Sequence, residues 1–360
     1  MPKLLPLTNK ATTKAVVVVQ LTVAAVRDVM MPMLHDDWVL VKIKAVAINP
    51  TDWKHVRYGV ADIGCRVGCD YAGVVEEVGS KVSNFAKGDR ITGWIHGANR
   101  VNRESGSFAE YAVAKASVQR KIPDNLSFEE AATLGVAIMT VGLGMYKNLQ
   151  LPLPTEPCKE AFPLLIYGGS TATGMAGIQF AKLSGLTVIT TCSPRNFDLV
   201  KGLGADAVFD YNSPTCAADI KELTKNRLTY AWDCTGEGTI ICAQAMSDCE
   251  PGNYGTIMPA DYDLLKATNP QVHGQDCIRG YDTMGEFYCW LGQTPVTPNP
   301  EDIQFYQSFL ALTQPLLENG SIKPLPATVN KNGSGLEGVL KGLEEMELGN
   351  VSGEKLVYTI

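Results

Sequence analysis

The chain has 360 residues, 45% hydrophobic and 19% charged, with a formal charge of −7. At roughly 150 residues per domain, this length predicts two domains with ample core, and the composition excludes a disordered or fibrous chain. The acidic balance and the absence of a dense Lys/Arg block argue against a nucleic-acid partner.

The opening MPKLLPLTNK has no sustained apolar core and no small-residue cleavage site, so no signal peptide is expected. The run AVVVV at 15–19 is far short of the ~20 residues of a membrane helix, so no membrane partner is expected and the cytoplasm is the default location. WVLVKIKAVAIN (38–49) alternates apolar and polar positions as a half-buried strand does. CDYAGVVEEVGS and KGDRITGW follow at short intervals with glycine punctuation, and SFAEYAVAK (107–115) is a further alternating strand. LSFEEAATLG starts a helix, with Ser127 as N-cap and Glu130 at the capping-box position. Residues 1–140 therefore predict a β-barrel or sandwich.

LPLPTEPCKEAFP, with prolines at 152, 154, 157 and 163, predicts a linker or extended surface loop. The rhythm then changes. The strands LLIYGG, LTVITTC, DAVFDY, YAWDCTG and NYGTIMP alternate with the helical segments TGMAGIQFAKLSG, RNFDLVKGLG, AADIKELTKN and GTIICAQAMS. Such alternation means βαβ units and a parallel sheet. After it come a long amphipathic segment, EDIQFYQSFLALTQPLLENG, and a closing strand in SGEKLVYTI. The predicted fold class is α/β: a β-rich module of residues 1–140 and 300–360 around a doubly wound domain of residues 141–299.

The ten cysteines form no CxxC pair and the four histidines lie far apart, so reduced, apolar-filling thiols are expected, with no metal. The segment YGGSTATG is placed as a Rossmann phosphate loop would be, between a strand and a helix. Gly168, Gly169 and Gly174 suit the turn and the helix packing, but Thr171 stands where the fingerprint's middle glycine belongs. A tight turn without a ligand would carry the same glycines. The downstream βα units supply the context a dinucleotide site requires, and the hydroxyls of Ser170 and Thr171 are expected as donors to pyrophosphate. About twenty residues on, where an NAD site carries a carboxylate, the chain reads TTCSPRN. Ser193, Arg195 and, from FDY, Tyr211 suit a ribose 2′-phosphate, so NADPH is the expected cofactor.

AVAINPTDWK (45–54), GCDYAGVVEEVG (68–79), KGDRI (87–91), GSFAEYAVA (106–114), GLGADAVFDY (202–211) and SGEKLVY (352–358) resemble, in family order, the medium-chain dehydrogenase/reductase superfamily. The resemblance is to its zinc-independent quinone oxidoreductase-like branch, with a GroES-like β-barrel catalytic domain and a Rossmann domain. AINPTDWK, YGGSTAT, TTCSPRNFD and FDY resemble in particular the fungal trans-acting enoyl reductases that partner highly reducing polyketide synthases. Zinc alcohol dehydrogenases of the superfamily carry a His-Glu motif and a four-cysteine lobe, and neither is found in this chain.

The resemblance implies hydride addition from NADPH to the activated C=C of a polyketide acyl thioester held on the synthase's acyl-carrier domain. It implies catalytic roles for Lys54 and Thr140, the threonine also suiting a plain packing role. It implies cofactor contacts from Thr51, Asp52, Trp53 and Lys54, from Gly168, Gly169, Ser170, Thr171, Ala172 and Thr173, and from Ser193, Pro194, Arg195 and Asn196. Tyr211, Ile257, Met258, Val351 and Ser352 complete that set. Substrate would lie along Ile138, Met139, Thr140, Val141, Gly142, Leu143, Gly144 and Met145, and along Asp282, Thr283, Met284, Gly285 and Glu286. The proton for the α-carbon would come from solvent or from Tyr58. Two other readings stay open: a stand-alone quinone or enone reductase, and an NADPH-binding protein without turnover.

Overall fold

The AVVVV run forms the buried middle of β1 (Thr12–Gln20), which pairs antiparallel with β2 (Val23–Met30). The computed structural model describes residues 12–290 and 295–360, and the opening MPKLLPLTNK lies outside the described residues. β3 (Trp38–Ala47) leads into α1 (Pro50–Arg57), and β4 (Asp70–Val78), β5 (Arg90–Trp94), β6 (Tyr111–Lys115) and β7 (Gln119–Lys121) follow. The expected strand from residue 107 begins only at Tyr111. Before it, the backbone turns to β1: Val16 N donates to Phe108 O at 2.8 Å, and Ala109 bridges Ala15.

Ser127 caps α2 (Phe128–Ala131) by accepting from Glu130 N at 3.1 Å, and Glu130 returns the bond to Ser127 N at 2.9 Å. α3 (Gly135–Val141) then continues into a π-helical stretch, Gly142–Asn148. Phe128–Asn148 is long and apolar enough to cross a membrane, but 78% of that window is buried inside the protein. Two glycines allow this packing. A Cβ on Gly142 would meet Phe309 Cδ1 at 2.6 Å, and one on Gly144 would meet Trp232 Nε1 at 2.5 Å.

The second sheet is built from β8 (Pro163–Tyr167), β9 (Thr187–Thr191), β10 (Ala207–Phe209), β11 (Tyr230–Asp233), β12 (Gly252–Thr256) and β13 (Val272–Gly274). Between them run α4 (Ala172–Leu183), α5 (Phe197–Gly202), α6 (Cys216–Leu223), α7 (Thr239–Ala245) and α8 (Tyr262–Thr268). All neighbouring pairs are parallel, in the order β10-β9-β8-β11-β12-β13. Numbered within the sheet, that is the 3-2-1-4-5-6 order of a Rossmann fold. α8 and β13 go beyond the expected elements, since a three-residue VHG strand carries no readable period.

After β14 (Tyr288–Cys289) and β15 (Pro295–Val296), α9 (Pro300–Glu318) runs beside the π-helical stretch, with the Phe309 ring 5.3 Å from Tyr146 and 5.6 Å from Phe180. β16 (Ala327–Val329), α10 (Gly335–Glu347) and β17 (Lys355–Thr359) complete the chain. The last strand pairs antiparallel with β3, so the C-terminus rejoins the first module in a sheet ordered β16-β17-β3-β4-β5-β7, with β6 also on β3.

Candidate active site

β8 and β11 are neighbours in space although β9 and β10 separate them in sequence. Open α/β sheets bind ligands at the carboxyl ends of strands where the order reverses in this way. Gly168, just past β8, takes φ +82°, a conformation glycine adopts without strain. Gly169 and Gly174 are required by space: a Cβ would lie 2.0 Å from Thr190 Oγ1 and 2.3 Å from Gly168 O respectively.

Thr171 corrects the sequence reading. It is the N-cap of α4: its Oγ1 accepts from Gly174 N at 3.0 Å and donates to Gly168 O at 2.8 Å. The hydroxyl expected to face phosphate is therefore used within the turn. The amides of Ala172 and Thr173, at the first two helical positions, have no intrahelical partner, and they sit at the positive end of a 12-residue helix. Ser170 and Thr173 are half-buried beside them. The turn thus presents free backbone donors at a positive helix end, the features that bind anions.

At the end of β9, Ser193 Oγ lies 3.1 Å from Tyr211 OH. Pro194 and Arg195 are exposed, and Arg195 has no ion pair among the described residues. Asp210, on the loop after β10, turns away to accept from Asn212 N at 2.9 Å. A hydroxyl, a phenol and a guanidinium thus share this edge. Asn196 is buried, and its Nδ2 donates to Ser352 Oγ at 3.0 Å, drawing the 351–352 loop to the same place. Ile257 and Met258 follow β12. Ile257 packs against the cluster of Trp94, Met139, Leu143 and Met284.

Asn49 caps α1, with Pro50 at its first helical position. Thr51, Lys54 and His55 lie on one helical face at i, i+3 and i+4. Thr51 Oγ1 is 3.3 Å from His55 Nε2 and 3.2 Å from Tyr281 OH, and that phenol oxygen is 3.3 Å from His55 Nε2. Burial lowers the pKa of His55 to about 4, so the ring is neutral, and its buried Nδ1 has no hydrogen-bond partner. The His96 ring stacks on Tyr281 at 3.9 Å and 15°, and burial, with His55 as a smaller cause, lowers its pKa to about 3. Burial also raises the Tyr281 phenol well above its ordinary range. Lys54 is half-buried, 5.8 Å from the Trp53 ring, and has no carboxylate partner among the described residues. Tyr58 is 69% exposed at the far end of the helix.

Asp52 faces the other way. It is buried, one carboxylate oxygen accepts from Asn49 N at 2.7 Å, and the other has no partner. Burial raises its pKa to about 7. Its side chain anchors the helix and does not reach the cleft as expected. Beside it, Asp70 accepts from Asn49 Nδ2 at 2.9 Å, from Lys355 Nζ at 2.5 Å and from Val136 N at 2.6 Å.

The two expected substrate stretches are not continuous linings. A helix presents only one face to a cleft, and here Ile138, Val141 and Met145 point into the main core while Met139 and Leu143 join Trp94, Ile278 and Met284. Thr140 is buried and its Oγ1 donates to Val136 O at 2.8 Å. In the second stretch, Asp282 accepts from Tyr288 OH at 2.9 Å and Thr283 donates to Gly280 O at 2.8 Å, so both brace their own loop. Gly285 and Glu286 are exposed, and Glu286 pairs with Lys115. Met284 lines a cavity of about 110 Å³ with Trp38, Ile95, His96 and Phe287. The side chain of this loop that meets α1 is Tyr281. With His55 and His96 it is what sequence reasoning missed, although the aromatic density of CIRGYDTMGEFYCW was the available signal.

Among the described residues, no three His, Cys, Asp or Glu side chains gather as metal ligands would. The family model for the alcohol dehydrogenase GroES-like domain matches residues 35–124, and that for zinc-binding dehydrogenases matches residues 172–257. The chain is 42% identical to the trans-enoyl reductase ACTTS2 of Alternaria alternata over 97% of its own length and 99% of that protein's. It is 52% identical to the trans-enoyl reductase TOXD of Cochliobolus carbonum over 65% of its own length and 79% of that protein's. An alcohol dehydrogenase superfamily protein from Novosphingobium aromaticivorans shares the fold with a TM-score of 0.78 at 20% identity, covering 97% of this chain and 100% of that one.

Proposed function

The chain belongs to the trans-enoyl reductase family of the medium-chain dehydrogenase/reductase superfamily, and from that premise we propose that it reduces the α,β-unsaturated thioester of a carrier-protein-bound polyketide with NADPH, in trans to a highly reducing synthase. In this reading residues 1–140 and 300–360 form the catalytic module, residues 141–299 hold the cofactor, and the protein works in the cytoplasm beside the synthase.

The cofactor's donor set fits the chain. The Ala172 and Thr173 amides and the Ser170 hydroxyl would hold the pyrophosphate, and Ser193, Arg195 and Tyr211 would hold the 2′-phosphate. When bound, NADPH supplies a hydride to the β-carbon of the enoyl thioester.

The observation that carries the reading is Lys54. It is a half-buried lysine without a carboxylate partner among the described residues, on the helix face that meets the cleft. Negative charge developing on the thioester oxygen needs such a cation or donor. Thr140 donates its own proton to Val136 O, so its oxygen is left to accept. In this reading it would accept from a donor and would not itself stabilise the oxyanion. The apolar walls that Trp38, Ile95, Met284 and Phe287 give the cavity of about 110 Å³ would suit part of an acyl chain.

The test is NADPH oxidation by the purified protein with a 2-enoyl thioester on pantetheine or carrier protein, beside a free quinone. Faster turnover of the thioester supports the reading, and a quinone preference points to a reductase of free small molecules. Oxidation of neither overturns it as an enzyme. Lys54→Ala is expected to lower kcat on the thioester about 10²-fold.

A further inference from the structure

The α-carbon must receive a proton after hydride has reached the β-carbon. We propose that the Tyr281 phenol delivers that proton, with Thr51, His55 and His96 as its positioning residues. The inference rests on the enoyl reduction proposed above.

Three observations carry it. First, Tyr281 comes from the loop after β13 and its hydroxyl meets Thr51 and His55 of α1, the helix that also bears Lys54. Second, the phenol oxygen has two partners, Thr51 Oγ1 at 3.2 Å and His55 Nε2 at 3.3 Å, and the stacked His96 ring holds the phenol plane. Third, His55 Nδ1 is buried without a partner. A neutral imidazole with its hydrogen on Nε2 satisfies this arrangement: it donates to the phenol oxygen, and the partnerless nitrogen carries no proton. A ring pinned to that tautomer stabilises the phenolate left when the proton departs.

The step balances. The electron pair of the enolate C=C forms the new C–H bond at the α-carbon, the Tyr281 O–H bond breaks, and the carbonyl is restored. The phenolate keeps the electrons of the broken bond, held by the Thr51 hydroxyl and His55 Nε2–H. Water reprotonates it when product leaves. A single donor fixed on one side of the substrate delivers the proton to one face of the α-carbon.

The experiment is turnover of a 2-enoyl pantetheine thioester with NADPH in D2O, reading kcat, KM and the configuration at the deuterated α-carbon. Wild-type protein is expected to place deuterium on one face. Tyr281→Phe is expected to lower kcat about 10²-fold, leave NADPH affinity within about twofold, and distribute deuterium over both faces. Because Tyr281→Phe could fold poorly, His55→Gln serves as a second variant that keeps the phenol. It is expected to lower kcat about tenfold and retain the single deuterated face. A Tyr281→Phe variant with wild-type kcat and an unchanged face overturns the inference while leaving enoyl reduction intact. A His55→Gln variant with wild-type kcat removes the positioning roles. Wild-type protein that does not turn over the thioester at all overturns the underlying enoyl reduction as well.

Discussion

Lys355 Nζ lies 2.5 Å from Asp70 Oδ2, with both side chains essentially out of solvent. Lys355 also donates to Asn49 Oδ1 at 2.8 Å, and Asp70 holds Val136 N through its second oxygen. One buried ion pair from the last strand thus fixes the N-cap of the helix bearing Lys54 and the first turn of the helix bearing Thr140. Removing one member of such a pair leaves an uncompensated charge, which typically destabilises by about 3–5 kcal/mol. Lys355→Met is expected to lose stability on this scale in urea unfolding. Adding Asp70→Asn, which neutralises the orphaned charge and keeps one acceptor oxygen for the Val136 amide, is expected to recover part of it. A fully additive double variant would mean that the two residues do not act as a pair.

Thr171 gives a second prediction. Restoring the usual glycine there removes a hydroxyl that caps α4 and closes the turn on Gly168. Thr171→Ala is expected to cost about 1 kcal/mol of stability and Thr171→Gly somewhat less, since glycine is a tolerable cap. Thr171→Ser should be near neutral. Cofactor titration of the same variants should show at most a small loss of affinity, because the hydroxyl points into the turn. A large loss of affinity with unchanged stability would return Thr171 to the phosphate contacts.

How far the chain could be read follows from the range of each signal. The capping box at Ser127 and Glu130 spans three residues and appears as read. The alternation of strands and helices from Pro163 likewise repeats within a few residues, and it gave the parallel sheet. β13 was missed because three residues carry no period. The substrate stretches were read as continuous because a one-dimensional motif does not say which face of a helix is turned inward. Tyr281 and His55 stand 226 positions apart, and only the closure of the chain brings them together. The anchoring role of the Asp52 side chain was illegible for a similar reason: nothing in NPTDWK distinguishes a capping carboxylate from one that faces the cleft.

The 2′-phosphate edge gives a third prediction. Arg195 is exposed and free of ion pairs among the described residues, so it is available to a phosphate at little reorganisation cost. Charge-assisted hydrogen bonds contribute roughly 1.5–3 kcal/mol. Arg195→Ala is therefore expected to raise KM for NADPH by about ten- to a hundredfold while changing that for NADH little. Ser193→Asp adds a carboxylate at the end of β9 and is expected to invert the preference toward NADH. Steady-state kinetics with both cofactors decides it. Equal losses with both would move Arg195 away from the 2′ position.

The buried imidazoles set a pH limit. His96 is 6% exposed, faces His55, Tyr281 and Tyr288, and its pKa is lowered from 6.5 to about 3 by burial. A base whose folded pKa is depressed binds its proton more readily when unfolded. Its contribution is complete above the unfolded value of 6.5 and declines as pH falls toward the folded one. By pH 5 the loss from His96 should reach about 2 kcal/mol, at about 1.4 kcal/mol per pH unit. His55, lowered to about 4 by the same cause, adds to the trend in the same direction. Carboxylates also titrate in this window, so the informative quantity is a difference between proteins. Urea unfolding of wild type and His96→Gln at pH 7.5 and pH 5 should show the variant losing less stability on acidification, by about 2 kcal/mol. Parallel losses in the two proteins would mean that His96 takes up its proton in the folded state as easily as in the unfolded one.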